Sequence, residues 1–325
     1  MLLTKHGISE PNCAWLQRCR KTPNFFGRQS HFCTIHSNVE LISLASVVAV
    51  IVLTTNDTGL AMTRQKVLLF GATGETGGHI LDALVTDDSF VSVDSGSYLR
   101  SNSLRMIQDL TCFVRTSSKD KQSTKQLRGR GIAVVTAELQ DSIGSLVALL
   151  HNVDIIICSM SPAALKLQIP LIDAAVAAGV KRFLPCNWGT PSSRGILTLR
   201  DIKEEVHDHM FRHRLSFTIV DTGFWYQASI PRVPSGALDD AIFMSANDVY
   251  AGGSAPNMLI DARDIGKMVV RIIKDERTLN KRVIAYGAVL SQNAIHEIIE
   301  KKTGEKLDLK KVRSCSQIQR PSYCY

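Results

Sequence analysis

Three regularly spaced glycines are the first residues in this chain with chemistry to offer. In KVLLFGATGETGGH, Gly71, Gly74 and Gly77 stand three apart, between a short apolar run and a segment of helical pattern. A glycine turn joining strand to helix is an anion site, because free backbone N–H groups and the positive end of the helix dipole point the same way. Gly71 would permit the tight turn, Gly74 the close approach of a pyrophosphate, and Gly77 the packing of helix on sheet. Ala72, Thr73, Glu75 and Thr76 complete the turn, and the two threonines add hydroxyl donors.

A second group follows the next apolar run, LTCFV. A strand in that place usually ends in Asp or Glu when the ligand carries a free ribose 2′-hydroxyl. Here it ends in Arg115, followed by Thr116, Ser117, Ser118, Lys119, Lys121 and Lys125. A guanidinium pairs with a 2′-phosphate that a carboxylate would repel. The dinucleotide expected is therefore NADP(H), not NAD.

A third group lies in LTLRDIKEEVHDHMFRHR. Leu199, Ile202, Val206 and Met210 mark an apolar helix face, with Lys203 beside it. A lysine at the edge of a buried face loses solvation, which brings its pKa toward the range useful for proton transfer. No tyrosine is followed by lysine four residues on, so the Tyr/Lys pair of common short-chain dehydrogenases is absent. His209 and His213 have ligand spacing, but the sequence offers them no third ligand, and no metal is expected.

The elements needed to position these groups alternate. Strands are expected at 66–70, 110–114, 132–136, 154–159 and 182–186. Helices are expected at 79–85, 142–150 and 164–178, with Pro170 either bending the last or marking its first turn. Short apolar strands alternating with helices imply an α/β, Rossmann-type doubly wound parallel sheet. The polar, Ser-rich stretch 89–109 is expected to be a surface loop. After Asp221 the rhythm weakens into a smaller C-terminal substrate lobe, with a helix at 261–275, a strand at 282–287 and a helix closed by Gly304. The expected division is an N-terminal extension 1–61, a nucleotide-binding domain 62–222 and the lobe 223–325.

Composition excludes several classes. With 325 residues and 45% hydrophobic content the chain can bury a substantial core. Its net charge is +8, but residues 301–325 hold seven Lys/Arg against Glu305 and Asp308, so there is no broad basic face for nucleic acid. Eight scattered cysteines form no CxxC pair and read as small buried hydrophobes. The apolar stretch Leu41–Leu53 is too short for a helix spanning a bilayer, so no stable membrane span is expected. The first forty residues are basic and acid-poor. They suit either a mitochondrial transit sequence or a dispensable leader on a cytoplasmic protein.

GATGETGGHI, CFVR, LIDAAVAAGVKRFLPCNWG and IKEEVHDHMFRHRLSFTIV together resemble the isoflavone reductase-like, NmrA-like group of atypical short-chain dehydrogenases. That group includes the phenylcoumaran benzylic ether and pinoresinol–lariciresinol reductases. The resemblance implies a Rossmann lobe binding NADPH and a small lobe closing over substrate. It puts phosphate recognition on Arg115 and Lys125, and the catalytic lysine on Lys203, fifteen residues before Thr218. Two departures stand out. The group's Ser-Glu-Phe-Gly reads Cys186-Asn187-Trp188-Gly189, so the resemblance does not by itself imply plant lignan substrates, and no helical pattern follows Glu305, which implies a short substrate lobe.

The expected function is NADPH-dependent reduction of a small aromatic or conjugated metabolite, with Lys203 stabilising or protonating the developing oxyanion and Trp188, Phe224 and Trp225 walling the pocket. The alternative is an NmrA-like dinucleotide-binding redox sensor without turnover. The expected partner is the small-molecule substrate, with a homodimer left open.

Overall fold

The computed structural model describes residues 48–49, 65–87, 90–92, 108–244 and 246–312. In chain order its main elements begin with β1 (Lys66–Phe70), α1 (Glu75–Thr86), β2 (Gln108–Arg115), α2 (Gln122–Gly129), β3 (Ala133–Ala137) and α3 (Ile143–Leu149). They continue with β4 (Ile155–Cys158), α4 (Gln168–Ala178), β5 (Arg182–Leu184), α5 (Thr198–Arg212) and β6 (Thr218–Asp221). The rest are β7 (Asp248–Tyr250), β8 (Pro256–Ile260), α6 (Asp264–Lys274), β9 (Lys281–Ile284), β10 (Ala288–Ser291), α7 (Gln292–Thr303) and β11 (Lys310–Val312).

The five expected strands form one parallel sheet in the order β3–β2–β1–β4–β5. β1 and β4 lie at its centre, and their apolar side chains are buried along almost their whole length. This is why they read as continuous hydrophobic runs and not as alternating ones. A parallel bridge from Phe183 to Phe217 carries the layer on to β6, which pairs in parallel with β9. Two residues of the apolar N-terminal stretch, Val48–Ala49, pair in parallel with Arg282 and Val283 of β9. The rest of that stretch lies outside the described residues, and no described helix is long and apolar enough to cross a membrane.

The chain leaves β1 toward β2 on one side and returns through β4 on the other. Strand order therefore reverses between β1 and β4, and the loops leaving their carboxyl ends diverge. Helices cover the sheet through apolar faces; on α4 the face expected from Leu165, Ile169, Ile172 and Val176 is turned, with Val176 exposed and Leu171, Ala174 and Ala175 buried beside Ile172. Ile80, Leu81 and Leu84 of α1, Leu171 and Ile172 of α4, and Val206 and Met210 of α5 are all buried. Pro170 sits in the first turn of α4, where its missing N–H costs no helical hydrogen bond.

The expected loop 89–109 needs correction at its ends. Phe90–Ser92 is a short parallel strand on Gln108–Leu110, and β2 accordingly starts at Gln108. β3 pairs only with Thr111–Arg115, so the earlier part of the same β2 edge would otherwise leave backbone groups unpaired. Residues 93–107 lie outside the described residues.

The chain divides into two compact units. Among the described residues the larger comprises those within 48–226 and 256–290, and the smaller those within 227–255 and 291–312. Of the segment expected as a C-terminal lobe, 256–290 thus returns to the larger unit, bringing α6 and β9. In the smaller unit, β7 and β11 pair in parallel, with Asp248 opposite Lys310. The Gln292 side chain ties β7 to α7, accepting from Tyr250 N at 3.0 Å and donating to Asp248 O at 3.0 Å. A strand therefore stands where the sequence showed no helical pattern. Gly304 caps α7 in the left-handed conformation, as its position implied.

Candidate active site

The glycine turn lies where the strand order reverses. Gly71 has φ +80°, and a Cβ there would overlap the carbonyl oxygen of Ser159, just past β4. A Cβ on Gly77 would overlap the carbonyl oxygen of Gly71 itself. These two glycines are thus required by the fold of the turn. Gly74 differs: its φ of −89° and ψ of 171° suit any residue, and a Cβ there meets nothing closer than Gly71 O at 3.4 Å. The space beside Gly74 is open, and no side chain caps the α1 N-terminus that it begins. An uncapped helix start beside an open glycine fits the approach of a phosphate. Thr73 is exposed and Thr76 buried, while the Glu75 carboxylate turns to His79 Nε2 at 3.3 Å, leaving only its backbone N–H for an anion.

Arg115 ends β2 exposed, and its side chain has no hydrogen bond or ion pair among the described residues. Lys125, in the first turn of α2, is also exposed. An open groove of about 420 Å³ runs between turn and helix, lined by Ala72, Thr73, Gly78, Ser123, Gln126 and Arg130 among others. Ala72 and Thr73 of the expected set belong to this lining, whereas Arg115 and Lys125 do not.

Lys203 lies half-buried on α5. Its Nζ is 3.8 Å from where a Cβ on Gly189 would stand, so the ammonium lies against the Gly189 backbone. Gly189 follows β5, whose neighbours are β4 and then β1, so lysine and glycine turn share the carboxyl edge of one sheet. Cys186 links the two sides. Met160 N, past β4, donates to Cys186 Sγ at 3.2 Å, and the Cys186 thiol donates to Met160 O at 3.3 Å. Burial pushes that thiol's pKa up, against the pull of Lys203 and of its hydrogen bond with the Met160 backbone.

A buried polar network surrounds Lys203 and was not foreseen. Arg200, 4% exposed, donates to Asp221 Oδ1 at 2.8 Å and to Asn187 Oδ1 at 3.1 Å, and lies 2.6 Å from Glu204 Oε1. Asn187 also donates to Asp221 Oδ1 at 2.7 Å, while Arg282 donates to Glu204 at 3.1 Å. Two guanidinium groups and two carboxylates thus compensate each other. Lys203 has no hydrogen bond or ion pair among the described residues, so it is the cation without its own counter-ion. Its pKa is lowered chiefly by burial; Cys186 and Asp221 oppose the shift, and Arg200 adds to it. Burial lowers the His207 pKa too, against the hydrogen bond and charge of Glu204. For Glu204, burial alone would raise the carboxyl, but the His207 hydrogen bond and charge, with Arg282 and Arg200, bring it down to about 2. The network could have been seen as a stripe, since Arg200, Lys203, Glu204 and His207 step by three, one and three along one side of a helix. Asp221 gave no such signal, because it sits at the end of an apolar strand.

The aromatic candidates separate. Trp188 is 7% exposed and donates its Nε1–H to Cys158 O at 2.9 Å, so its ring is used in core packing. Trp225 is partly buried against the same core. Phe224 is 40% exposed, beside Leu259 of β8. Three buried hydroxyls, on Thr190, Ser192 and Thr222, have no partner among the described residues, and Thr222 N donates to Gly189 O at 3.0 Å. These orphaned groups near Gly189 suit a polar ligand.

Known proteins share this arrangement of sequence and fold. The chain is 36% identical over 243 residues to the asnovolin J 5',6'-dehydrogenase of Aspergillus novofumigatus, across 74% of this chain and 69% of that protein. It is 26% identical over 263 residues to an isoflavone reductase homolog of Solanum tuberosum, across 75% and 77%. The leucoanthocyanidin reductase–NADPH binary complex from Vitis vinifera superposes with a TM-score of 0.59 at 22% identity, across 76% and 78%, and shares its fold. The sequence profile of the NmrA-like family matches residues 63–320, so the chain belongs to the NmrA-like family.

Proposed function

We propose that this chain is an NADPH-dependent reductase of a small aromatic or conjugated metabolite, with Lys203 as its proton-handling residue. The observation that carries this is the half-buried Lys203 ammonium, without a counter-ion, at the same sheet edge as an open glycine turn. Support also comes from relatives named as reductases and as a dehydrogenase.

Backbone N–H groups from Gly74 to Gly77 would hold the pyrophosphate, with Ala72 and Thr73 alongside. Arg115 and Lys125 would take the 2′-phosphate. The dinucleotide, when bound, supplies the hydride. Lys203 Nζ holds a proton beside the substrate oxygen and releases it as negative charge develops there, which a desolvated amine does more readily than a solvated one. In the oxidative direction the neutral amine takes the proton back, so one lysine serves a reductase or a dehydrogenase. Phe224 offers the exposed aromatic surface for a flat substrate.

The test is Lys203→Ala, with NADPH consumption measured over a panel of conjugated ketones, enones and aryl ethers. The expected result is a fall in kcat of about 10²–10⁴-fold, typical of a lost acid–base group, with NADPH affinity unchanged. Unaltered turnover in the variant would remove Lys203 from the mechanism. Tight NADPH binding without consumption on any substrate would instead identify a dinucleotide sensor.

A further inference from the structure

The two histidines singled out in the sequence acquire a third partner in the fold. α4 and α5 pack side by side, and across that seam Asp173 of α4 faces His209 in the last turn of α5 and His213, the residue that caps it. His209 Nε2 is 2.6 Å from Asp173 Oδ1, and His213 Nε2 is 3.7 Å from the same oxygen. The two rings are 4.4 Å apart between centroids, and one ligand atom from each of the three residues lies within 4.8 Å of the others.

We propose that Asp173, His209 and His213 form a binding site for a divalent transition metal of the zinc class, bracing α4 against α5. An ion pair needs only one imidazole, and His209 already supplies it; the second ring, aimed at the same oxygen, adds repulsion if both are protonated. One cation satisfies all three donors. In a tetrahedral site with metal–ligand bonds near 2.0–2.2 Å, donor atoms stand about 3.3–3.5 Å apart. The separations to the Asp173 oxygen fall on either side of that value, so small rotamer changes would close the site. The i, i+4 spacing brings the rings together at the end of α5, where His213 as C-cap residue still donates its backbone N–H to His209 O at 3.2 Å. Two imidazoles and one carboxylate suit zinc, cobalt or nickel, and are poor ligands for magnesium or calcium. Water can fill the fourth position, because His213 is 44% exposed.

His209 is six residues beyond Lys203 on the helix, roughly 120° around it at 100° per residue, so the metal would lie on another face from the lysine. The role that follows is structural. It would stiffen the helix that carries Lys203 without touching the reacting groups, and it does not depend on the proposed activity.

The test uses the full chain, stripped with chelator and titrated with zinc chloride by calorimetry. His213→Ala and Asp173→Asn are measured in parallel. Other histidines and cysteines in the chain make the difference between proteins the informative quantity. Wild type is expected to bind one zinc ion more than His213→Ala, and Asp173→Asn to bind that ion at least tenfold more weakly. Zinc, but not magnesium, is expected to raise the wild-type Tm by a few degrees, a shift that His213→Ala abolishes. Cobalt in place of zinc should give d–d absorption of that extra ion with no thiolate charge-transfer band. Equal uptake by wild type and His213→Ala, or a thiolate band for the differing ion, would overturn the proposal. Because His213 is 44% exposed and stands beyond the end of α5, its removal is expected to leave the fold intact and the outcome readable.

Discussion

Gly74→Ala should separate the folding role of the glycine turn from its binding role. The new Cβ would stand 3.4 Å from Gly71 O, an ordinary contact, and the backbone at φ −89°, ψ 171° suits alanine. Stability should therefore hold, or rise by about 0.4–1 kcal/mol through the reduced freedom of the unfolded chain. Binding should suffer, because the methyl group enters the space where a pyrophosphate oxygen must approach the backbone. Losing one charge-assisted hydrogen bond costs about 1.5–3 kcal/mol, which at 1.4 kcal/mol per decade is roughly 10- to 150-fold in Kd. Gly77→Ala is the contrast. Its Cβ would collide with the Gly71 carbonyl, a backbone group that cannot turn aside, so the turn itself must shift at a cost of about 1–3 kcal/mol. Thermal denaturation and titration of NADPH fluorescence on both variants give the four numbers needed. If Gly74→Ala binds NADPH as wild type does, the phosphates do not pass over Gly74 and the cradle has been misplaced.

Other expectations follow from the site. Arg115→Ala should weaken NADPH but leave NADH unchanged in competitive titrations, at no cost in Tm, since the side chain has no partner among the described residues. Lys203→Met should raise Tm near pH 7 while turnover collapses; because the folded-state pKa is lowered, the charged lysine opposes folding below that pKa, and calorimetry would show no gain if the ammonium were well solvated. Stability should fall as pH drops below about 6.5, where the unfolded chain protonates His207 more readily than the folded one. It should fall further below about 4.5 as Glu204, held at about 2, is forced to take a proton. A pH series of urea melts should show this slope, and in Glu204→Gln its lower part should flatten. Asp221→Asn should destabilise by about 3–5 kcal/mol, the usual cost of stranding one partner of a buried pair, here Arg200; a Tm within a degree of wild type would mean that the network is wetter than its burial implies.

The periodicity of the chain determined the order of strands β1 to β5 and of helices α1, α3, α4 and α5, though it did not mark the short polar α2. The glycine spacing located the turn at the mouth of the sheet. Those signals are local: an apolar run must be buried, and a glycine must stand where a Cβ cannot. Arg115 was legible for the same reason, as a cation following directly on a strand. What lies around Lys203 was not. Asn187, Arg200, Asp221 and Arg282 come from four separate segments, and only packing of α5 and β9 around the end of β6 turns them into one compensated cluster. Likewise His209 and His213 were visible as a pair, whereas Asp173 joins them only because α4 lies alongside α5. The tertiary structure also assigned Trp188 to the core, through a hydrogen bond to the end of a neighbouring strand. Sequence spacing fixes neighbours along one element because helix and strand have set periods; charge compensation and desolvation depend on which elements meet, and that is decided when the chain collapses around its core.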